Sequence, residues 1–270
     1  MEPAATAPTT GGPLDQEIKI YPIELRGGDV LRLPMYSHLA PTYLWGQYLI
    51  PENVTIEDMR FANPGKSEWV RESDGTVVVT AKREGADVKF PYTLKMTYKP
   101  SRGVVDVAIE VTNDGPEAWE HGGGLNACYG AYQDVHDGDG TWVVHNDKLI
   151  SVRDLMRSVG LEPGPEQWPV FAVKGGEVPA IVFQKTVPGI ELDNGLVIRQ
   201  SRDRRHAVGL AFDPATDIGM HFRFGCVHSD PKIPPLGAGE TATIRGRVYI
   251  YETTRPEDIL EQYRKDFAAE

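Results

Sequence analysis

The stretch EHGGGLNACYGAYQDVHDGDGTWVVH, Glu120 to His145, places three of the chain's seven histidines beside two tyrosines, several carboxylates and a run of glycines. Imidazole exchanges protons near neutrality, and carboxylates and phenols complement it as acids, bases and hydrogen-bond partners. Asp137-Gly138-Asp139-Gly140 has the composition of a turn, so a hairpin is expected in which His136 faces Thr141, Asp134 faces Val143 and Tyr132 faces His145. Side chains alternate along a strand, which puts Tyr132, Asp134, His136 and His145 on one side and Val135, Trp142 and Val144 on the other. The first set would form the polar, aromatic, titratable face that a sugar needs, and the second a core. The plain alternative is the wet face of an antiparallel sheet, polar by default. His121-Gly122-Gly123-Gly124 leaves backbone that a ligand can approach closely, or that bends at a sheet edge; either way His121 stands beside an opening.

The run DVHDGDG also alternates acidic residues with glycine as a calcium loop does, but it lacks the twelve-residue pattern and its distal Glu. Histidines spaced as His121, His136 and His145 match no closed zinc pattern, so no metal or other cofactor is expected. A second cluster begins at His221. There Met220, Phe222 and Phe224 share a face opposite His221 and Arg223. His228 precedes a Ser229-Asp230-Pro231 corner, and a His beside an Asp can be held in one tautomer as acid or base, or can cap the turn. Nearer the start, MYSHLAPTYLWGQYLIPEN gathers Tyr36, His38, Tyr43, Trp45 and Tyr48. These rings would stack on sugar C–H faces or fill the mouth of a sandwich; Trp45 is read as filling, while His38 stays a candidate for ligand contact.

Strands must position these groups. GTVVVTAKRE (Gly75–Glu84), YTLKMTYKP (Tyr92–Pro100) and GVVDVAIEVTND (Gly103–Asp114) alternate β-branched or aromatic residues with polar ones, and the last two read as a hairpin across Lys99–Gly103. WPVFAV, PAIVFQK, GLVIRQ, AVGLAF, GMHFRFGCVH and ATIRGRVYIYE continue the pattern. Many short strands with frequent turns predict an all-β fold, a large antiparallel sandwich. DKLISVRDLMRSVG (Asp147–Gly160) has helical spacing, although KLISV also fits a strand. TRPEDILEQYRKDF predicts a C-terminal helix over 254–268, with Thr254 and Glu257 in capping-box spacing and Ile259, Leu260, Tyr263 and Phe267 as the stripe that packs on the sandwich. Residues 1–14 read as a disordered leader and 15–270 as one domain that includes this helix.

A length of 270 residues, 40% of them hydrophobic, suffices for a substantial core. The net charge of −11 argues against nucleic acid as a partner, since a phosphate backbone is bound through clustered Lys and Arg. The one basic run, RQSRDRRH from Arg199 to His206, reads as a solvated turn or as a patch for an acidic sugar. Two cysteines, Cys128 and Cys226, settle nothing about a disulfide by their spacing. No apolar run is long enough to span a bilayer and the start lacks a secretory signal, so a soluble protein with no membrane partner is expected. It would be cytoplasmic, or periplasmic or secreted if a signal had been removed. Oligomeric state is not legible.

The order His228, Asp-Pro, a Pro-rich loop and LGAGETATIRGRVYIY resembles the closing segment of galactose-mutarotase-like (aldose 1-epimerase-like) proteins. MTYKPSRGVVDVAIEVTNDGPEAW is similar to their paired central strands, and HGGGLNACYG follows where they place a sugar-contacting His and then an Asn. The resemblance implies a concave sheet face that binds a monosaccharide or glycan end, with a His as general acid toward the ring oxygen and a carboxylate as general base toward the anomeric hydroxyl. His121 matches the sugar-contacting His by position, with Asn126 nearby. The family's catalytic Glu has no counterpart in RFGCVHSDP, which puts ordinary mutarotation in doubt. The same sandwich occurs in polysaccharide lyases and in glycoside hydrolase domains; for a lyase, Tyr129, Tyr132, His121 and His228 would supply acid and base while Arg60, Arg204 or Arg223 neutralises a uronate. The expected catalytic set is His121, His228, Tyr132, His136 and His145, and the expected substrate-binding set is His38, Asn126, Tyr129, Asp134, Arg60, Arg204 and Arg223. The expected activity is epimerase-, lyase- or glycosidase-type, with a non-catalytic carbohydrate-binding module or accessory subunit as the alternative.

Overall fold

A computed structural model describes residues 11–13, 21–25, 28–33, 37–46, 67–84, 91–120, 123–131, 140–164, 167–176, 185–201, 204–222 and 226–267. For residues 21–25, 28–33 and 37–46, and for Asn126, Cys128, Tyr129, Gly130, Ala131 and Cys226, the description is of backbone and register. The expected leader falls mostly outside the described residues.

Apolar alternation produces two facing sheets. One comprises β1 (Gly12–Pro13), β5 (Ser67–Arg71), β6 (Val77–Arg83), β7 (Tyr92–Ser101), β8 (Val104–Asn113), β10 (Thr141–His145), β11 (Lys148–Ser151), β14 (Val197–Gln200), β15 (His206–Asp213) and β18 (Thr241–Glu252). Its order is β11-β10-β14-β15-β18-β8-β7-β6-β5, with β1 against the end of β18. The other comprises β2 (Tyr21–Leu25), β3 (Gly28–Leu33), β4 (Ser37–Gly46), β9 (Gly123–Ala131), β12 (Pro169–Val173), β13 (Lys185–Leu192), β16 (Ala215–Met220) and β17 (Cys226–Ile233). Its order is β13-β12-β16-β17-β9-β4-β3-β2. Every neighbouring pair is antiparallel except β12 with β13. The fold is thus an all-β antiparallel sandwich carrying a C-terminal helix.

β8 shows why the layers meet. Val105, Val107, Ile109 and Val111 are buried and the residues between them are half-exposed, so one face is available to the other sheet. Leu125, Phe171, Ile218, Met220 and Val227 come from the opposite layer to the same core. Each such side chain contributes about 1.5–3 kcal/mol of burial. The β7–β8 turn is tighter than expected: Ser101 pairs with Val104, and Gly103 takes a φ of 64°.

The outer face of the first sheet is covered by helix α2 (Glu257–Asp266), preceded in the chain by helix α1 (Val152–Ser158). Ile259, Leu260 and Tyr263 of α2 pack on Val144, Ile198, Ala207, Tyr249 and Tyr251. Tyr249 donates to Asp266 Oδ2 at 3.0 Å, and Arg247 pairs with Asp266 at 2.6 Å, which fixes the far end of the helix. Pro256 is the N-cap residue, so Thr254 does not form the expected capping box. The Thr253 hydroxyl instead accepts from Arg255 N and donates to Asp258, anchoring the turn before the helix.

Two local expectations need correction. Over 147–160 a strand and a helix share the segment: KLIS is β11, and α1 starts after Ser151, whose Oγ accepts from Asp154 N at 3.0 Å. The hairpin across residues 137–140 does not form with β10, because both sides of β10 are taken. Trp142 pairs with Ser151 of β11 and with Ile198 of β14. Trp142 and Val144 share an apolar face as expected, but the face expected to be polar is turned to the core. Val143 lies in the inter-sheet core, while Trp142 and Val144 lie toward α2.

Candidate functional site

Parity along β16 and β17 separates two faces. Ile218, Met220 and Phe222 enter the inter-sheet core, as do Val227 and Ile233. Asp217, Gly219 and His221 therefore face away from it, together with His228 and Asp230. The register joins the two sets, pairing Asp217 with Asp230 and Gly219 with His228. Directly paired residues have Cβ atoms about 5 Å apart, so the two carboxyls are side by side. On the other flank Val170 pairs with Gly219, so Trp168 stands level with His221. The indole meets the His221 ring edge-on at 5.2 Å and the His228 ring at 5.4 Å with a 50° tilt. Gly219 lies beneath them, and a β-carbon there would sit at ordinary contact distance, 3.5 Å from Trp168 Nε1 and 3.7 Å from His228 Cβ.

Asp217 and Asp230 are each 1% exposed, His228 is 3% and His221 is 5%, while Trp168 is half-buried. Burial pushes the Asp217 carboxyl well above the usual carboxylate range, and the neighbouring Asp230 adds to it, against the opposing bond from Thr216. Thr216 Oγ1 lies 2.9 Å from Asp217 Oδ2 and 3.1 Å from the Asp230 carbonyl oxygen. A hydroxyl carries one hydrogen. Its single hydrogen is shared between the Asp217 carboxyl oxygen and the Asp230 carbonyl, both of which lie within its donating reach. Asp230 Oδ1 accepts the Ala127 N–H of β9 at 3.0 Å, a bond that suits a charged carboxylate.

The inner face holds this arrangement in place. Ser229 Oγ donates to Gly195 O at 2.6 Å and accepts from Phe212 N at 3.2 Å, tying β17 to the opposite layer. Asp230 and Pro231 do not form the expected corner; they lie inside β17. The register shift between Ala215 and Asp217, opposite Pro231, is where a residue lacking an N–H is tolerated.

Of the expected residues, the structure brings His228 into this cluster and puts others elsewhere. His145 is on β10 of the other sheet, its Nδ1 3.0 Å from Glu191 O. Arg204 is exposed at a φ of 54° in the turn between β14 and β15. Arg199, from the same basic run, is instead 1% exposed, with Nε 3.1 Å from Thr141 Oγ1. In register, Cys128 pairs with His228, Tyr129 with Val227, and Asn126 with Tyr43, while His38 is level with Gly130. His121, Tyr132, Asp134, His136, Arg60 and Arg223 lie outside the described residues. Asp217 and Trp168 were not anticipated, although Asp217 and His221 alternate with Ile218, Met220 and Phe222 in plain sight. Among the described residues, no three His, Cys, Asp or Glu gather as a metal site, and no helix is long and apolar enough to cross a membrane.

A scan of protein-family models gives no match to the chain, and neither does a search of curated proteins. Solved structures do match. A crystal structure from Synechocystis sp. PCC 6803 superposes with a TM-score of 0.53 at 8% identity, covering 94% of this chain and 100% of that one. One from Escherichia coli K12, described as a candidate aldose 1-epimerase, gives 0.50 at 13% identity over 86% and 99% of the two chains. A galactose mutarotase related enzyme from Lactobacillus acidophilus gives 0.50 at 11% identity over 88% and 98%. The sandwich with its C-terminal helix is therefore the galactose-mutarotase-like fold, as the resemblance in the closing strands implied.

Proposed function

We propose that the outward face of β16 and β17 binds a sugar or the end of a glycan and performs acid/base chemistry on it. The observation that carries this reading is the gathering of two imidazoles against one indole with two carboxyls paired next along the same strands, each of the four groups no more than 5% exposed. Four buried titratable groups are costly for a fold and are characteristic of sites that move protons. Asp217, which burial makes hold its proton more tightly than an ordinary carboxyl, is the proton donor. His228 stands one pair further along β17, about 7 Å away, and is a proton acceptor within the span of a pyranose. Epimerase-type ring opening needs such a donor toward the ring oxygen and an acceptor toward the anomeric hydroxyl. The neighbours described as an aldose 1-epimerase and a galactose mutarotase relative support sugar as the substrate class. Trp168 supplies a stacking surface, and His38, Asn126 and His121 are candidates for further contacts.

The test is a panel of free aldoses followed by polarimetry and proton exchange at the anomeric carbon, together with glycosides and uronate polymers. His228→Asn and Asp217→Asn are each expected to lower turnover by about 10²-fold or more while far-UV circular dichroism is unchanged. Unaltered turnover in both variants would remove these residues from any mechanism. A second reading, a non-catalytic binding module, is favoured by the partial exposure of Trp168. It requires sugar binding that Trp168→Ala abolishes and that stays flat from pH 5 to 8.

A further inference from the structure

We propose that Asn194 is a site of spontaneous covalent modification, where the main-chain nitrogen of Gly195 closes on the side-chain amide and converts it to isoaspartate, independently of the acid/base reading. The sequence contains one Asn-Gly step, and it lies in the turn between β13 and β14. Asn194 Oδ1 accepts the Leu196 N–H at 3.0 Å, which folds the side chain into an Asx turn over the Gly195 peptide. Ring closure needs the reacting atoms about 3–3.5 Å apart, and this fold of the side chain is the one that brings Cγ toward the Gly195 nitrogen. The same Leu196 N–H polarises the Cγ carbonyl and is already aimed at the oxygen on which negative charge develops. Among the described residues, no acceptor takes the Gly195 N–H. Both flanks of the step are held. The Asp193 carboxylate binds Lys174 Nζ and the Asp147 N–H, each at 2.6 Å, and Gly195 O receives the Ser229 hydroxyl at 2.6 Å.

Water is the only co-reactant. The Gly195 nitrogen forms a bond to Cγ and gives its proton to solvent, the side-chain nitrogen takes up a proton and leaves as ammonia, and the resulting cyclic imide adds water. Opening at the former side-chain carbonyl gives aspartate. Opening at the main-chain carbonyl gives isoaspartate, in which the backbone runs through the former side chain and gains a methylene just before the carbonyl that Ser229 holds. Packing keeps the second residue of the step a glycine: a β-carbon at position 195 would lie 2.4 Å from Phe212 O and 2.6 Å from the Ala215 β-carbon. The residue that least crowds ring closure is thus the one the fold accepts. Asp74-Gly75-Thr76 is a contrast within the same chain, since the Thr76 N–H donates to Asp74 Oδ1 at 2.9 Å in the same kind of turn. There the bonds from Thr76 hold the carboxyl below its usual range, and an ionised carboxylate resists attack by a nitrogen nucleophile.

The test incubates the full chain at mildly alkaline pH, native in buffer and, side by side, unfolded in guanidinium chloride. Samples taken over time are digested, the peptide holding Asn194 is followed by mass spectrometry, and isoaspartate is counted by enzymatic methylation of isoaspartyl carboxyls. In the native chain the amide at Asn194 is expected to convert at least as fast as in the unfolded chain, with isoaspartate as the main product and Asp74 left unmodified. Slower conversion in the native chain overturns the proposal, because the turn would then shield the step rather than present it. Isoaspartate that forms at Asp74 as readily as at Asn194 overturns it too. Asn194→Gln keeps an amide but would have to close a larger ring, and the signal is expected to be lost; isoaspartate that survives in this variant at the same rate comes from elsewhere and overturns the assignment. No sugar enters any of these measurements, so failure of the acid/base reading leaves the result untouched, and the reverse holds.

Discussion

Asp217→Asn makes the buried proton measurable. The Asp217 carboxyl is 1% exposed and its pKa is raised well above 3.8, first by burial and then by Asp230. Below pH 4 the group binds its proton in both folded and unfolded chains, and its stabilising contribution is fully present. As pH climbs beyond that, the unfolded chain loses the proton while the folded chain keeps it. Stability then falls by up to about 1.4 kcal/mol per pH unit until the folded pKa is passed. Asparagine keeps the shape and a neutral polar group but does not titrate. The variant's stability relative to wild type should therefore rise with pH above the range in which the unfolded carboxyl titrates, until the folded carboxyl loses its proton. Urea unfolding followed by tryptophan fluorescence at several pH values measures this directly, provided the urea dependence of both proteins is equal. In Asp230→Asn the window should contract, because the neighbouring negative charge is gone. Parallel stability–pH curves for wild type and Asp217→Asn would refute the buried, protonated carboxyl and with it the proton donor assigned to the site.

Ser229→Ala removes the donor to Gly195 O and the acceptor for Phe212 N, leaving both main-chain groups buried, and is expected to destabilise the chain by about 1–3 kcal/mol in urea unfolding. Gly246→Ala places a methyl against the ring of buried Phe212; a loss of about 1–3 kcal/mol, seen as a lowered melting temperature, is expected from the overpacking.

Legibility followed the range of the interaction. The β7–β8 hairpin could be read from its sequence because Leu94, Met96, Val107 and Ile109 alternate with polar residues and the turn is local. The partners of β10 could not, since Trp142 pairs with Ile198, and no local pattern names a strand that far along the chain. Composition favoured a hairpin with the preceding segment, and tertiary pairing overrode it. His228 was legible by its type and its neighbours. Its association with Asp217 was half-legible: alternation in TDIGMHF groups Asp217 with His221, but Pro231 suggested a corner and hid the fact that Asp230 continues the strand. Trp168 read as the first residue of an apolar strand, and only the pairing of Val170 with Gly219 sets its ring against two histidines.

Ser229 gives the two layers of the sandwich a shared mechanical reference. Its hydroxyl grips main chain of the far layer at Gly195 and Phe212, while the residues on either side of it present the imidazole and the carboxylate outward. A bulky residue at position 195 would press on Ala215 and on that hydroxyl. Its effect should surface as a displaced titration of Asp217 on the opposite side of that layer, with no atom of the outward face altered.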